Sequence, residues 1–126
     1  MSDYPEQLKY TKDHEWLRVE DDGTATVGIT FHAQESLGDI TFVELPSVDE
    51  RFGVGDTFGV VESVKAASDL FLPVTGKVVA INDGLEDEPE TVNQDPYGKG
   101  WMVRLSLDDP QEVQQLLSAA DYQALL

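Results

Sequence analysis

Strand-like segments recur along the chain about every eight to twelve residues, separated by glycine, proline and acidic turns. Residues 15–20 and 24–29 are the clearest pair, because Asp21-Asp22-Gly23 supplies a hairpin turn between two stretches of alternating apolar side chains. Further strands are expected at 40–45, at Val54 and at 57–61, 77–81 and 101–107. This spacing predicts a mainly β fold, either a sandwich or a small barrel.

Helix signals interrupt the strand pattern in two places, at residues 31–37 and in the tail. Thr30 can cap a short helix over residues 31–37, which Gly38 ends where left-handed backbone is needed. Residues 83–96, which lie between the last two expected strands, carry a dense acidic run and are expected to form a solvated loop.

The tail changes from a strand period to a helical one. Residues 109–112 form a capping box with proline at the first helical position. An apolar stripe at helical spacing follows, made of Val113, Leu116, Leu117 and Ala120. Residues 118–121 start a second helical turn carrying Tyr122. We therefore expect one domain over 1–126, with a β body at about 8–107 and a helical segment at about 109–126 packed on it.

Composition excludes several kinds of chemistry and partner. Twenty-five acids against eight basic residues give a net charge of −17, which repels nucleic-acid phosphates and favours basic patches on protein partners. The chain has no cysteine, so disulfides and thiolate sites are excluded, and two histidines are too few for a metal cluster. No apolar stretch is long enough to span a membrane, and the N-terminus lacks a targeting pattern, which predicts the cytoplasm.

Lys65 is the candidate functional residue, one of only five lysines in the chain. Residues 60–71 fit a helical stripe, in which Lys65 is an ordinary exposed residue with Glu62 and Asp69 as weak surface partners. They equally fit a hairpin with a turn near Val64-Lys65, and periodicity does not separate the two interpretations.

The chemistry of a modified lysine favours the hairpin. Acylation needs a deprotonated amine on a rigid, uncluttered tip that a ligase can surround, and the alanines after Lys65 keep such a tip clear. Acylation would then remove the charge and leave a long neutral arm. A Schiff-base lysine needs desolvation or a cationic neighbour, and the acidic neighbours Glu62 and Asp69 oppose this.

The ordered motifs of the chain resemble those of one family. They are Lys9-Tyr10, His14-Glu15-Trp16, Val27-Gly28-Ile29-Thr30, His32-Ala33-Gln34, Leu37-Gly38-Asp39, Phe42-Val43-Glu44-Leu45-Pro46, Val61-Glu62-Ser63-Val64-Lys65-Ala66, Pro73-Val74-Thr75-Gly76, Val92-Asn93, Pro96-Tyr97 and Gly100-Trp101. Each motif is weak alone, but their order and spacing are specific. From about Leu8 to the C-terminus the chain resembles the H proteins of the glycine cleavage system, a family of lipoyl carriers.

This resemblance implies a barrel-sandwich hybrid of the lipoyl and biotinyl carrier type, with lipoate attached to the ε-amine of Lys65. It implies that the arm takes the aminomethyl group of glycine at the P protein and passes it to tetrahydrofolate at the T protein. The flavoprotein L then reoxidises the arm. The expected partners are these three proteins and a lipoate ligase or lipoyl transferase. The chain itself is expected to be a monomeric carrier and not a catalyst.

The resemblance also suggests secondary site residues. Glu15, His32 and Asp69 are candidates for a cleft that shelters the loaded arm, and Glu62 is a candidate for recognition by the ligase. Phe31 and Leu72 depart from the usual family pattern and are expected to alter docking surfaces or rim packing.

Two alternatives to the glycine-cleavage carrier remain open. One is a biotin carrier, although Val64 and Ala66 flank the lysine where biotin sites usually have methionine. The other is a domain that relays lipoate to other proteins or interacts without modification.

Overall fold

A computed structural model describes residues 4–126 as short strands and helices. The strands are β1 (Lys9–Tyr10), β2 (Glu15–Val19), β3 (Thr24–Ile29), β4 (Ile40–Glu44), β5 (Arg51–Phe52), β6 (Thr57–Ser63), β7 (Ala67–Phe71), β8 (Gly76–Ile81) and β9 (Val103–Leu107). The α-helices are α1 (Phe31–Leu37), α2 (Gly84–Asp87), α3 (Thr91–Gln94) and α4 (Ala119–Gln123). A 3-10 helix covers Pro110–Gln115. Among these residues, no helix is long and apolar enough to cross a membrane.

The strands form two antiparallel sheets. The larger sheet has the strand order β1-β2-β3-β9-β8-β5, and the smaller has the order β4-β6-β7. The two layers form a sandwich and do not close into a barrel, so the predicted mainly β fold is confirmed in its sandwich form. The predicted hairpin of residues 15–20 and 24–29 is also confirmed, with Leu17 opposite Val27.

Apolar side chains from both sheets fill the space between them. Fully buried members of this core include Leu17, Val27, Val43, Val61, Leu72, Val78 and Leu105. Burying such a side chain stabilises the fold by about 1.5–3 kcal/mol before entropy is counted. Leu72 therefore belongs to the core, with 1% of its surface exposed, and not to an outer docking surface.

A second cluster attaches the C-terminus to the edge of the larger sheet. It contains Leu8, Tyr10, Trp16, Ala119 and Tyr122. The rings of Tyr10 and Tyr122 stack with centroids 4.9 Å apart. Gly28 lies opposite Trp16 in the sheet, and a Cβ there would come within 2.8 Å of the indole ring. The glycine is thus what allows the indole to lie flat on β3.

The helix predicted at residues 31–37 is confirmed together with both of its ends. Oγ1 of Thr30 accepts a hydrogen bond from the Ala33 N–H at 3.2 Å, as an N-cap residue does. Gly38 ends the helix with φ = 79° and donates its N–H to the carbonyl oxygen of Gln34.

Three local predictions are wrong. Residues 83–96 are not a plain loop, because Leu85 and Val92 are buried and each anchors a short helix. The strand near Val54 lies instead at Arg51–Phe52, and Val54 is exposed in a turn.

The third error is in the tail, where the helical stripe is interrupted. The 3-10 helix ends at Gln115, and Leu117 exchanges backbone hydrogen bonds with Tyr10 in both directions, at 2.8 and 2.9 Å. Pairing with β1 therefore takes over the backbone groups that a continuous helix would have used. The second helix begins after Ser118, whose side chain caps it.

Candidate functional site

Lys65 lies at the tip of the hairpin formed by β6 and β7. Ser63 closes the turn, because its N–H donates to the carbonyl oxygen of Ala66 at 2.8 Å and its Oγ accepts from the Ala66 N–H at 3.1 Å. Oγ of Ser63 also lies 3.3 Å from the Lys65 nitrogen, which donates to it. The side chains of Val64, Lys65 and Ala66 are exposed. The predicted hairpin is confirmed, and the helical alternative for this segment is wrong.

The tip rests on the turn between α1 and β4. The N–H of Val64 donates to the carbonyl oxygen of Asp39 at 3.2 Å. The methylene stem of Lys65 passes over Gly38, since a Cβ on that glycine would lie 3.4 Å from Cε of the lysine. The absence of a side chain at Gly38 therefore leaves room for the lysine stem.

Asn93 in α3 holds this supporting turn. Its Nδ2 donates to the carbonyl oxygen of Gly38 at 2.8 Å and to Oε1 of Gln34 at 3.0 Å. Its Oδ1 accepts from the Ile40 N–H at 2.9 Å. Asn93 was part of a family motif without an assigned role, and its contacts depend on a fold that brings residues 34–40 and 93 together.

Glu62 and Asp69 lie on the outer face of the hairpin. Side chains alternate along each strand, and the neighbours Val61 and Leu70 are buried on the opposite face. Phe42 is paired with Glu62 and is 44% exposed, so an apolar side chain lies beside this acidic face.

A cavity of about 210 Å³ lies between α1, β7 and the turn that joins β1 to β2. Its walls are formed by Asp13, His14, His32, Ala33, Ser36, Leu37 and Ser68. His32 is the predicted cleft residue that lines it, whereas Glu15 and Asp69 do not. Ser68 lines the cavity because it shares the inner face of β7 with Leu70, which strand alternation could have indicated.

Glu15 is buried behind the cavity, with only 2% of its surface exposed. Oε1 accepts from the hydroxyl of Thr11 at 2.6 Å, and Oε2 accepts from the Phe71 N–H at 3.3 Å. Burial raises the pKa of this carboxyl to about 7, although both hydrogen bonds oppose the shift; the charge of Asp13 adds to it. Glu15 thus ties β2 to β7, and its role toward the arm remains a prediction.

His14 forms part of a polar network that sequence reasoning missed. Its Nδ1 lies 2.7 Å from the hydroxyl oxygen of Tyr122, and its ring centroid lies 4.7 Å from that of His32. Burial lowers the pKa of His14, and the nearby His32 lowers it further. Only the folded chain could reveal this contact, since 108 residues separate His14 from Tyr122.

Two further features complete the description of the site. Phe31 begins α1 half-buried, and its N–H donates to the hydroxyl of Tyr97 at 2.9 Å. Within residues 4–126, no three His, Cys, Asp or Glu side chains are grouped so as to hold a metal ion.

Comparison with known proteins connects this geometry to one family. The family model for the glycine cleavage H-protein matches residues 8–126. The H protein of Psychrobacter sp. (strain PRwf-1) is 61% identical over 126 residues, covering all of both chains. That of Idiomarina loihiensis is 59% identical over 124 residues, covering 98% of this chain and 96% of the relative.

A solved structure agrees in fold as well as in sequence. The crystal structure of a glycine cleavage system H protein from Mycobacterium marinum is similar with a TM-score of 0.88 and 41% identity. The similarity covers 95% of this chain and 96% of that one. The chain therefore belongs to the glycine cleavage H-protein family.

Proposed function

We propose that this protein is the lipoyl carrier of a glycine cleavage system and bears lipoate on Nζ of Lys65. The observation that carries the proposal is the position of this lysine, exposed at the tip of a hairpin in a chain that matches the H-protein family over residues 8–126. A carrier needs its attachment point on a rigid projection, and β6 and β7 supply one.

The residues around Lys65 fit an attached acyl arm. No ion pair within 4.0 Å among residues 4–126 involves Lys65, so no carboxylate competes for its amine. When a ligase attaches lipoate, the lipoyl group is first activated as an acyl adenylate. Nζ attacks the carbonyl carbon, the amide C–N bond forms, the C–O bond to the nucleotide breaks, and AMP leaves while the amine loses a proton. The hairpin tip lets a ligase surround that amine.

Attached to Lys65, lipoate would supply a dithiolane able to carry the aminomethyl group of glycine from the P protein to the T protein and to be reoxidised at the L protein. The chain supplies position and shelter. Lys65 crosses the C-terminal end of α1, and the same helix forms one wall of the cavity through His32 and Ser36. Asp13 also lines the cavity, and a carboxylate there suits a protonated amine.

Glu62 and Asp69 are proposed to face the ligase. Both are exposed on the outer face of the hairpin, away from the cavity, so an enzyme that encloses the tip would meet them first. The exposed side chains of Val64 and Phe42 would add apolar contact area beside them.

The proposal is tested by intact mass after expression with lipoate and an active lipoate ligase. We expect one lipoyl addition on the wild type and on Lys77→Arg, and none on Lys65→Arg. An unmodified wild type under conditions that lipoylate a known acceptor would overturn the proposal. A streptavidin blot that detects a band at the mass of this protein would instead identify a biotin carrier.

The role in glycine cleavage is tested separately, by reconstitution with P, T and L proteins. Lipoylated wild type should support release of CO₂ from glycine, and Lys65→Arg should not. Equal support by both proteins would favour an interaction domain that acts without modification.

A further inference from the structure

The hydroxyl of Tyr122 joins the C-terminal helix α4 to two of the three elements that line the cavity. Its oxygen lies 2.7 Å from Nδ1 of His14, which lines the cavity, and 2.8 Å from Oγ1 of Thr30. Thr30 caps α1, the helix that carries His32. The Thr30 N–H also donates to the carbonyl oxygen of His14 at 3.0 Å. The buried hydroxyl of Tyr122 thus contacts both His14, which lines the cavity, and the N-cap residue of the helix that carries His32.

Counting hydrogens sets the direction of this network. Oγ1 of Thr30 accepts from the Ala33 N–H, and its own hydrogen needs an acceptor because Thr30 is fully buried. The Tyr122 oxygen accepts that hydrogen, so the Tyr122 hydrogen is left to bond Nδ1 of His14. In the opposite direction the Thr30 hydroxyl hydrogen would have no acceptor among the residues described. This direction requires an unprotonated Nδ1 on His14, and a neutral ring then carries its hydrogen on Nε2.

The backbone of His14 is held in an unusual conformation at this point. Its φ of 70° lies in the left-handed region, which residues with a side chain occupy only where surrounding contacts maintain it. Thr11 supplies one such contact, since its carbonyl oxygen accepts from the His14 N–H at 3.1 Å. The Tyr122 ring supplies another, packing edge-on against the imidazole at 5.7 Å.

Burial and the neighbouring titratable groups keep His14 and Tyr122 neutral near pH 7. Burial and His32 lower the pKa of His14, against a smaller opposing effect of Asp13. Burial raises the pKa of Tyr122 to about 12 against the opposing effect of its hydrogen bond with Thr30, and Tyr4 and Glu15 make smaller contributions that also raise it. Tyr122 therefore keeps its hydrogen over the physiological range.

We propose that Tyr122 is a positioning residue, whose hydroxyl holds His14 as a neutral imidazole protonated on Nε2. His14 then adds no positive charge to the cavity wall, so it does not repel a protonated amine there, and its Nε2–H is a donor for an acceptor such as sulfur. The identity of the occupant rests on the proposed function; the state of His14 does not.

The direct test is ¹⁵N NMR of the His14 ring in the unmodified protein near pH 7. We expect Nδ1 to show the shift of an unprotonated nitrogen that accepts a hydrogen bond. Tyr122→Phe should move this signal, whereas Tyr10→Phe should leave it in place. The control is closely matched, since Tyr10 is equally buried, stacks on Tyr122 and donates its hydroxyl to Pro5 instead.

A protonated Nδ1 in the wild type overturns the inference without any variant. The inference can therefore be refuted even if Tyr122→Phe does not fold. An Nδ1 signal unmoved in folded Tyr122→Phe also overturns it. Neither result bears on lipoylation, which the mass measurement decides.

The functional readout uses lipoylated protein, reduced and loaded chemically. A dihydrolipoyl thiol, formaldehyde and ammonia combine into an aminomethyl thioether with loss of water. We expect the aminomethyl group to be lost about fivefold faster from Tyr122→Phe than from the wild type or Tyr10→Phe, as the loss of one hydrogen bond would give. Equal rates in all three proteins would refute the positioning role.

Discussion

The methylene stem of Lys65 lies directly over Gly38, so that a Cβ on the glycine would sit 3.4 Å from Cε of the lysine. The two residues are far apart in sequence and meet because the hairpin tip docks on the turn after α1 through the Val64 N–H and the carbonyl oxygen of Asp39. The proposed attachment point is thus positioned by a turn that it does not belong to.

Gly38→Ala should therefore impair both folding and lipoylation. At φ = 79° and ψ = −153°, Gly38 occupies a region essentially reserved for glycine, so an alanine should cost about 1–3 kcal/mol. Its methyl group would also be in van der Waals contact with the lysine stem and would restrict the positions open to it. We expect a lower urea midpoint and slower lipoyl attachment, measured by intact mass over time.

Gly23→Ala is the matched control for this variant. Gly23 also has a positive φ, of 86°, but a Cβ there would meet no atom within 4 Å. It should lose stability through backbone strain and keep a normal rate of lipoylation among folded molecules. Equal slowing in both variants would show that the contact over Lys65 has no effect.

Asn93→Ala should loosen the same turn from the opposite side. It removes an acceptor for the Ile40 N–H and a donor to the carbonyl oxygen of Gly38, and unsatisfied polar groups cost about 1–3 kcal/mol each. We expect a loss of about 2–4 kcal/mol in the free energy of unfolding by urea. The neighbouring Gln94 is exposed, and Gln94→Ala should change stability by less than about 0.5 kcal/mol. A difference below 1 kcal/mol between the two variants would be evidence against the Asn93 contacts.

Signals within a few residues predicted much of this structure. Thr30 and Gly38 fixed both ends of α1, and Asp21-Asp22-Gly23 located the first hairpin, because caps and turns depend on local backbone chemistry. The local sequence singled out Lys65, although periodicity left its segment ambiguous between helix and hairpin. Its lipoylation was implied by the resemblance of ordered motifs and stays a prediction.

Contacts between distant segments account for what was missed. Residues 84–87 and 91–94 became helical because the core buries Leu85 and Val92, which an acidic composition did not reveal. Leu117 left the helical stripe because β1 offered backbone partners. Ser68 and His14 became cavity residues only when β7, α1 and the first turn were brought together.

Asp49→Gly should stabilise the protein. Asp49 has φ = 79°, a left-handed conformation that glycine adopts without the strain of a Cβ. Its carboxylate lies 3.8 Å from Nζ of Lys77 on an exposed surface, where such a pair contributes little. We expect a gain of about 0.5–1 kcal/mol in urea unfolding. Asp49→Ala removes the same carboxylate but keeps the Cβ, so it should give no gain; a gain equal to that of glycine would point to charge and not to backbone strain.

Glu15→Gln should remove a pH dependence of stability that comes from the buried carboxyl. Burial raises the pKa of Glu15 from 4.5 to about 7, so the folded state binds this proton more tightly than the unfolded state does. The proton stabilises the fold fully below about pH 4.5, and this contribution is lost as the pH rises to about 7. At 1.36 kcal/mol per pH unit, the loss amounts to roughly 3 kcal/mol.

The measurement is the free energy of unfolding of both proteins between about pH 4.5 and pH 8. The wild type should lose roughly 3 kcal/mol relative to Glu15→Gln across this range, because glutamine has no proton to release. Glu62→Gln removes an exposed carboxyl of the same kind and should follow the wild type. Parallel curves for wild type and Glu15→Gln would mean that Glu15 is already ionised in the folded protein below pH 5. Its hydrogen bonds from Thr11 and Phe71 would then outweigh its burial.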